Sequence, residues 1–74
     1  MDANQCRAAR ALLGLSQDDL AYHSTVAKRT IASFEKGNHN LAPRTLAALV
    51  YALNDLGVEF IAENGGGAGV RLRK

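Results

Sequence analysis

The sequence contains little that would support a disulfide, a metal cluster or a membrane span. Cys6 is the only cysteine among the 74 residues, so neither an intrachain disulfide nor a cluster of thiolate ligands is possible. No apolar run is long enough to span a bilayer, and no secretory signal pattern is found. A single thiol is typical of a reducing compartment, so we expect a cytoplasmic protein with no membrane partner.

The residue groupings that catalysis and cofactor binding require are also missing from the sequence. Neither His23 nor His39 has a cysteine or carboxylate at metal-ligand spacing, and no serine has a histidine and a carboxylate arranged to activate it. The glycine-rich run 65–69 is followed by no Lys-Ser or Lys-Thr pair and opens no helix, so it is turn material rather than a phosphate-binding loop. The sequence therefore predicts no enzyme, no metal site and no cofactor.

The net charge of +2 is too small to indicate a nucleic-acid partner by itself, but its distribution is uneven. Four cations fall between residues 28 and 44, where Glu35 is the single acid: Lys28, Arg29, Lys36 and Arg44. Basic charge concentrated around one helix is the footprint expected of a DNA-binding surface.

Periodicity and capping signals predict four helices, over residues 2–13, 17–24, 27–36 and 43–55. Ser16 and Asp19 have the spacing of a capping box, and Pro43 suits the first turn of the fourth helix because its missing N–H costs nothing there. The clearest core stripe lies on that helix, at Leu46, Leu49, Val50 and Leu53. Cys6 falls on the inward side of the first helix, so it is predicted to be a small core residue rather than a nucleophile.

The third helix has two faces of opposite character. At 100° per residue, Ala27, Ile31 and Phe34 lie on one apolar stripe. The opposite face is small, hydroxyl-bearing and cationic: Arg29, Ala32, Ser33 and Lys36, with Lys28 near the helix start. A face of this kind without a carboxylate suits the floor of a DNA major groove, although an ordinary solvated face has the same composition.

The stretch from Leu15 to Gly37 resembles the helix-turn-helix of the phage-repressor (Cro/C1, Xre-type) family, whose usual pattern is LSQ-E-E-LA-x-x-x-G-V-S-x-x-T-I-x-x-x-E-x-G. Ten residues match it without a gap: Leu15, Ser16, Gln17, Leu20, Ala21, Val26, Thr30, Ile31, Glu35 and Gly37. Three residues depart from it. Thr25 stands where the family has a turn glycine, Ser24 replaces an apolar residue, and Ala27 replaces the usual cap.

The resemblance implies a mainly α, lambda-repressor-like helix-turn-helix domain that binds double-stranded DNA and regulates transcription, for example as a repressor. It also implies that Arg10 pairs with Glu35 as a structural ion pair. From residue type and position we expect base contacts from Lys28, Arg29, Ala32 and Ser33. We expect DNA-backbone contacts from Gln17, Thr25, Thr30, Lys36, Asn38, His39 and Arg44.

After Gly57 the hydrophobic period changes to two, which predicts a C-terminal β-hairpin. Glu59 and Glu63 are expected to face Arg71 and Arg73 across its strands. This divides the chain into a DNA-binding domain, 1–57, and a β tail, 58–74. A lone hairpin is marginal in water, so the tail must dock on the helices or continue into the sheet of a partner. We predict that it builds, or helps to build, a homodimer interface, with contacts from Val58, Phe60, Ile61, Val70 and Leu72. The alternative is a frayed basic tail.

The sequence thus predicts a transcriptional regulator that binds a near-palindromic operator as a homodimer, with helix 27–36 in the major groove. Two alternatives stay open. One is the antitoxin of a toxin–antitoxin pair, which would bind DNA and use the β tail to hold a partner protein. The other is a protein-interaction module, such as an anti-activator, that keeps the fold without binding DNA.

Overall fold

The computed structural model describes residues 1–37, 40–62 and 65–73 and contains four helices followed by a two-stranded antiparallel sheet. The elements are α1 (Ala3–Leu13), α2 (Gln17–Ser24), α3 (Lys28–Glu35), α4 (Pro43–Asp55), β1 (Val58–Ile61) and β2 (Gly69–Leu72). The predicted fold class is confirmed. The bounds of α2 and α4 match the prediction. Helix α1 begins one residue later than predicted, and α3 is one residue shorter at each end. None of the described helices is both long and apolar enough to cross a membrane.

The helix starts are set by local hydrogen bonds. The predicted capping box of α2 is confirmed, since the Ser16 hydroxyl accepts from the Asp19 N–H and the Asp19 carboxylate accepts from the Ser16 N–H, both at 3.0 Å. A second box begins α1, where Asp2 and Gln5 exchange the equivalent bonds at 2.8 and 2.9 Å. Asp2 is therefore the N-cap and not a helical residue. Ala27 precedes α3 without a side-chain hydrogen bond and is exposed, which corrects its predicted inward position.

The corner between α2 and α3 is closed without the glycine that the family pattern has there. Thr25 adopts the left-handed conformation, with φ of 61°, and its N–H donates to the Ala21 carbonyl at 2.9 Å. Ser24 is buried, and its hydroxyl accepts from the Val26 N–H at 3.1 Å. The serine therefore gives the corner a polar brace in place of the apolar contact that the pattern has, and the strain of the turn is concentrated at Thr25.

Replacing Thr25 with glycine is expected to stabilise the protein. A β-branched residue in the left-handed region costs roughly 1–2 kcal/mol. Glycine removes this cost, but it also raises the conformational entropy of the unfolded chain, which lowers the stability by about 0.4–1 kcal/mol. We expect a net gain of about 0.5–1 kcal/mol in the unfolding free energy, measured by urea denaturation. Thr45→Gly, at a right-handed position in α4, is the control and should destabilise. A lower midpoint for Thr25→Gly would contradict this account of the corner.

The core is made by all four helices and the first strand. Its fully buried side chains come from each of these elements: Cys6, Ala9, Leu20, Ile31, Leu49, Leu53 and Val58, all 0% exposed. Phe34 and Ala52 complete it, and the half-buried Leu46 packs against it. The buried residues of α4 are Leu49, Ala52 and Leu53, so its buried stripe includes Ala52 in place of Val50, which is half-buried. The predicted division after residue 57 falls inside this core, because Val58 belongs to the same cluster as the helical residues.

The hairpin is closed by β1 and β2 in a register that pairs Glu59 with Arg71 and Phe60 with Val70. The predicted Glu59–Arg71 ion pair is present at 2.8 Å. The prediction for Arg73 is wrong, because its N–H donates to the Gly57 carbonyl and its guanidinium to the Asn54 carbonyl. Glu63, its expected partner, lies outside the described residues. The tail docks on the helices through Gln5, whose amide donates to the Ile61 and Gly69 carbonyls at 3.3 and 3.0 Å.

Candidate nucleic-acid interface

The orientation of α3 decides which of its residues reach solvent. Ile31 is 0% and Phe34 8% exposed, so the apolar stripe of the helix is anchored in the core. On the other side Lys28, Arg29 and, just past the helix, Lys36 are exposed, while Ala32 and Ser33 are half-buried between them. The outward surface of α3 is therefore cationic at both ends and shallow in the middle, the shape that allows a helix to approach base edges closely.

The two cations at the start of α3 differ in their surroundings. The Lys28 ammonium lies 3.4 Å from the Asp18 carboxylate, but both side chains are more than half exposed, so this ion pair is weak and easily exchanged. The side chain of Arg29 makes no hydrogen bond or ion pair with any residue that the structure describes. Its planar guanidinium thus keeps its donors for a ligand.

The residues predicted to contact the DNA backbone lie around α3 and differ in their exposure to solvent. Lys36 and Arg44 are exposed, Thr25 is exposed at the corner with its hydroxyl donating to the Ser24 carbonyl, and Thr30 is half-buried. Gln17 begins α2, and its side-chain amide donates to the Glu35 carboxylate at 3.0 Å. One of its two amide hydrogens is therefore committed inside the protein. Asn38 and His39 lie outside the described residues.

Glu35 ends α3 and receives a bidentate Arg10 guanidinium from α1. Nε of Arg10 lies 2.8 Å from Oε2 and Nη2 lies 2.7 Å from Oε1, while Nη1 donates to the Leu15 carbonyl at 3.0 Å. The side chains are 18% and 3% exposed, so the pair is largely shielded from water. Paired in this way, Arg10 fixes the end of α3 against α1 and against the loop that leads into α2.

Two further side chains complete the hydrogen bonding of the Glu35 carboxylate. The Cys6 thiol donates to Oε2 at 3.1 Å and Gln17 donates to Oε1, so α1, α2 and α3 all meet at one buried carboxylate. Arg7 donates to the backbone carbonyl of the same residue. We call Cys6, Arg10, Gln17 and Glu35 the Glu35 cluster. The Glu35 cluster is largely shielded from solvent, so its role is to hold α3 in position against α1 and α2.

The Glu35 cluster shifts the pKa values of its own members. Burial alone would raise the pKa of Glu35, but hydrogen bonds from Arg10, Gln17 and Cys6 outweigh it and hold that pKa below the usual value. Burial, reinforced by the bond to Glu35, raises the pKa of the Cys6 thiol to about 12. Cys6 is thus a protonated donor at neutral pH and a poor nucleophile.

The lowered pKa of Glu35 predicts a loss of stability in acid. A carboxyl whose pKa is lower in the folded state contributes stability above its unfolded pKa, about 4.3 for Glu, and that contribution is lost as the pH falls through the folded pKa. The free energy of unfolding, measured by urea denaturation between pH 7 and pH 2, should therefore fall more steeply with decreasing pH for the wild type than for Glu35→Gln. Hydrogen bonds from Ser16 also lower the pKa of Asp19, so Asp19→Asn is the control for acid loss elsewhere. Parallel curves for wild type and Glu35→Gln would contradict the prediction.

Sequence reasoning missed the internal role of Gln17 and the part of Cys6 as a donor. The Arg10–Glu35 pairing was implied by the resemblance, but no spacing rule indicates which other side chains reach a carboxylate 18 or 29 residues away. The one available signal was that Glu35, a charged residue, directly follows Phe34 of the buried stripe. A buried carboxylate requires several donors, and Gln17 is a polar residue near the start of a neighbouring helix.

Comparison with known families identifies the family to which the chain belongs. No curated protein matches the chain. The helix-turn-helix family matches residues 7–60, a range that covers most of α1, all of α2, α3 and α4, and the start of β1. The corner between α2 and α3 and the outward cations of α3 all lie inside that range. The chain therefore belongs to the helix-turn-helix family of the phage-repressor (Cro/C1, Xre) type, a family of DNA-binding transcription regulators.

Proposed function

We propose that this protein is a sequence-specific transcriptional regulator that acts in the cytoplasm and binds a near-palindromic operator as a homodimer, with α3 in the major groove. The observation that carries the proposal is the orientation of α3. Its apolar residues Ile31 and Phe34 are buried, and Arg29 extends outward with no partner among the described residues. An uncommitted guanidinium on the exposed face of a rigidly held helix is suited to reading a base edge.

Each residue of the outward face has a role that follows from its chemistry. Arg29 is the bidentate partner for the O6 and N7 atoms of guanine. Lys28 and Ser33 donate to other base edges, and Ala32 contacts a thymine methyl group. The Lys28–Asp18 ion pair does not oppose this role, because an exposed pair is worth about 1 kcal/mol or less.

The DNA backbone is held by residues on both sides of α3. Gln17 places the N-terminus of α2 against a phosphate, where its free amide hydrogen and the helix amides donate. Because the same side chain is bonded to Glu35, the phosphate contact and the position of α3 are set together. The other proposed backbone contacts are Thr25, Thr30, Lys36, Asn38, His39 and Arg44.

A homodimer doubles the length of DNA that the protein can recognise. One α3 helix of eight residues contacts only a few base pairs, and two-fold pairing doubles the site. Copies measuring 31 × 25 × 19 Å, placed side by side, can present their α3 helices one DNA turn apart, about 34–36 Å. Of the dimer contacts predicted from sequence, Val58 is withdrawn, because it is 0% exposed within its own chain. Phe60, Ile61, Val70 and Leu72 remain.

The experiment that tests the proposal is selection of bound duplexes from a random DNA pool, followed by footprinting of the enriched sequence. We expect a near-palindrome with half-sites one turn apart, and binding that weakens steeply with salt as counterions are released. Failure to enrich any duplex over random DNA would overturn the proposal and favour the protein-interaction module. Enrichment of a single half-site would overturn the proposed dimer, while the proposal that α3 recognises the base sequence would stand.

A further inference from the structure

Arg7 is a cation of α1 to which the proposed DNA-binding surface assigns no role. It is exposed, and its Nη1 donates to the backbone carbonyl of Glu35, the last residue of α3. Because that carbonyl belongs to the peptide bond between Glu35 and Lys36, the guanidinium lies at the point where α3 ends. Its Nη2 donates to the side-chain oxygen of Asn4, one turn earlier in α1.

The end of α3 depends on α1 for its positive charge. The carbonyl groups at a helix C-terminus carry about half an elementary negative charge, and α3 has no basic residue in its last turn, which ends in the Glu35 carboxylate. Arg10 neutralises that carboxylate through its bidentate ion pair. The charge of Arg7 therefore remains in excess, and together with the exposed Lys36 it makes this end of α3 attractive to a polyanion.

Arg7 also keeps donors for a ligand, whereas Arg10 does not. A guanidinium carries five N–H donors in a planar fork, and Arg7 uses two of them on Glu35 and Asn4 within the described part of the chain. All three nitrogens of Arg10 bond inside the protein, and its side chain is 18% exposed. Because two bonds already fix the plane of the Arg7 guanidinium, little side-chain freedom is left to lose when it binds an anion.

We infer that Arg7 binds a phosphate of the DNA backbone, next to the phosphate that Lys36 contacts. The carbonyl at the end of α3 holds the guanidinium from one side, and its remaining N–H groups donate to the phosphate oxygens on the other. This inference rests on the proposed function and extends its backbone contacts to α1. The ligand is a phosphodiester rather than a base, because Arg7 lies beyond the end of α3 and not on its outward face.

The salt dependence of DNA binding separates a phosphate contact from a helix cap. If Arg7 contacts one phosphate per half-site, Arg7→Ala should lower the slope of log K against log[salt] by about 0.9 per half-site, on operator and random duplexes alike. For a dimer, raising the salt from 50 to 200 mM should then weaken binding by the variant about tenfold less than binding by the wild type. Arg7→Lys keeps the charge and should keep the wild-type slope.

Two further variants control for charge and for folding. Arg71→Ala removes the same charge from a 68% exposed side chain on β2 and should leave the slope unchanged. Arg7→Ala also removes a bond to the Glu35 carbonyl, so its folding is checked by urea denaturation. Arg7→Gln removes the charge but keeps an amide donor at this position, so it should be more stable than Arg7→Ala and should show the same lowered slope.

Ethylation interference on the selected operator locates the contact. Ethylating a phosphate removes its charge, so an ethylation that weakens binding marks a phosphate that the protein contacts. The wild-type pattern should contain one phosphate per half-site that is missing from the pattern of Arg7→Ala, and this phosphate should adjoin the one that is lost with Lys36→Ala. Loss of the helix cap alone would weaken all contacts without removing one of them.

The outcomes distinguish this contact from the proposed function. A steep wild-type slope that Arg7→Ala and Arg7→Gln both leave unchanged, with an unaltered interference pattern, would overturn the phosphate contact and leave Arg7 as the cap of α3. The proposed function would then stand. A wild type that enriches no duplex over random DNA would overturn the proposed function, and the inferred contact with it.

Discussion

Replacing Glu35 with alanine is expected to lower the free energy of unfolding by about 3–5 kcal/mol. The variant leaves the Arg10 guanidinium, 18% exposed, without its carboxylate, and it also removes the acceptor of the Cys6 thiol and the Gln17 amide. Removing one member of a shielded ion pair costs more than the pair contributes, since the remaining charge stays poorly hydrated. Urea denaturation of the purified variant at pH 7 measures the loss.

The size of this loss is large on the scale of the whole protein. At roughly 0.05–0.15 kcal/mol per residue, a chain of this length has a total stability of about 4–11 kcal/mol. Glu59→Ala is the matched control, because the ion pair of Glu59 with Arg71 lies on the surface. Its N–O distance of 2.8 Å is close to the 2.7 Å of the Arg10–Glu35 pair. With Arg71 68% exposed, we expect a cost of about 1 kcal/mol or less. Equal losses for Glu35→Ala and Glu59→Ala would contradict the role assigned to the Glu35 cluster.

A double variant separates two effects of Glu35→Ala: the unpaired charge of Arg10 and the loss of the contact between α1 and α3. Arg10→Met combined with Glu35→Leu removes both charges and keeps apolar volume between α1 and α3, so much of the stability lost in Glu35→Ala should return. Its DNA binding is the more informative readout. If the Glu35 cluster sets the position of α3 and Gln17, the double variant should be stable and yet bind the selected operator more weakly than the wild type.

Local signals in the sequence were enough to predict most helix ends. Ser16 with Asp19, and Pro43 in the first turn of α4, act through residues three or four positions apart, so their effect is visible in the sequence alone. The sequence analysis gave Gln5 no role, although half of that role has a local signal. Its spacing from Asp2 fits a capping box, but its bonds to the carbonyls of Ile61 and Gly69, 56 and 64 residues away, depend on how the hairpin docks.

The faces of the hairpin were harder to predict than its strands. Alternation placed Val58, Phe60, Val70 and Leu72 on one face, and the register confirms this. Periodicity does not say whether that face covers the chain's own helices or a partner. The structure shows that the face covers the chain's own helices at Val58, which is in the core, whereas Leu72 is 43% exposed.

The candidate DNA surface was predictable to the extent that it depends on one helix. The 100° periodicity of α3 indicated which residues face outward, and Ile31 and Phe34 are buried as that periodicity requires. The partners of the outward cations come from other helices and were not predictable. Lys28 meets Asp18 from α2, and Gln17 is bonded to Glu35, whereas Arg29 meets none of the described residues. This difference makes Arg29 the sharpest test of the surface.

Replacing Arg29 with alanine is expected to remove most of the preference for the selected operator over random DNA. A bidentate arginine–guanine contact is worth about 1–3 kcal/mol of discrimination, and a dimer uses it in both half-sites. The specific affinity should therefore fall by roughly 2–6 kcal/mol, which is about 30-fold to 10⁴-fold, while binding to random duplexes falls much less. Fluorescence anisotropy with labelled operator and random duplexes, at one fixed salt concentration, measures both.

Two arginine variants make this result interpretable, because each removes the same charge from a different place. Arg44→Ala, at the exposed start of α4, should weaken operator and random DNA alike and reduce the salt slope by about one unit per half-site, as loss of a phosphate contact does. Arg73→Ala, which loses its hydrogen bond to the Asn54 carbonyl at the end of the hairpin, should leave the preference unchanged. If Arg29→Ala instead behaves like Arg44→Ala, Arg29 holds the DNA backbone and another residue of α3 reads the bases. If it behaves like Arg73→Ala, α3 does not enter the groove by this face.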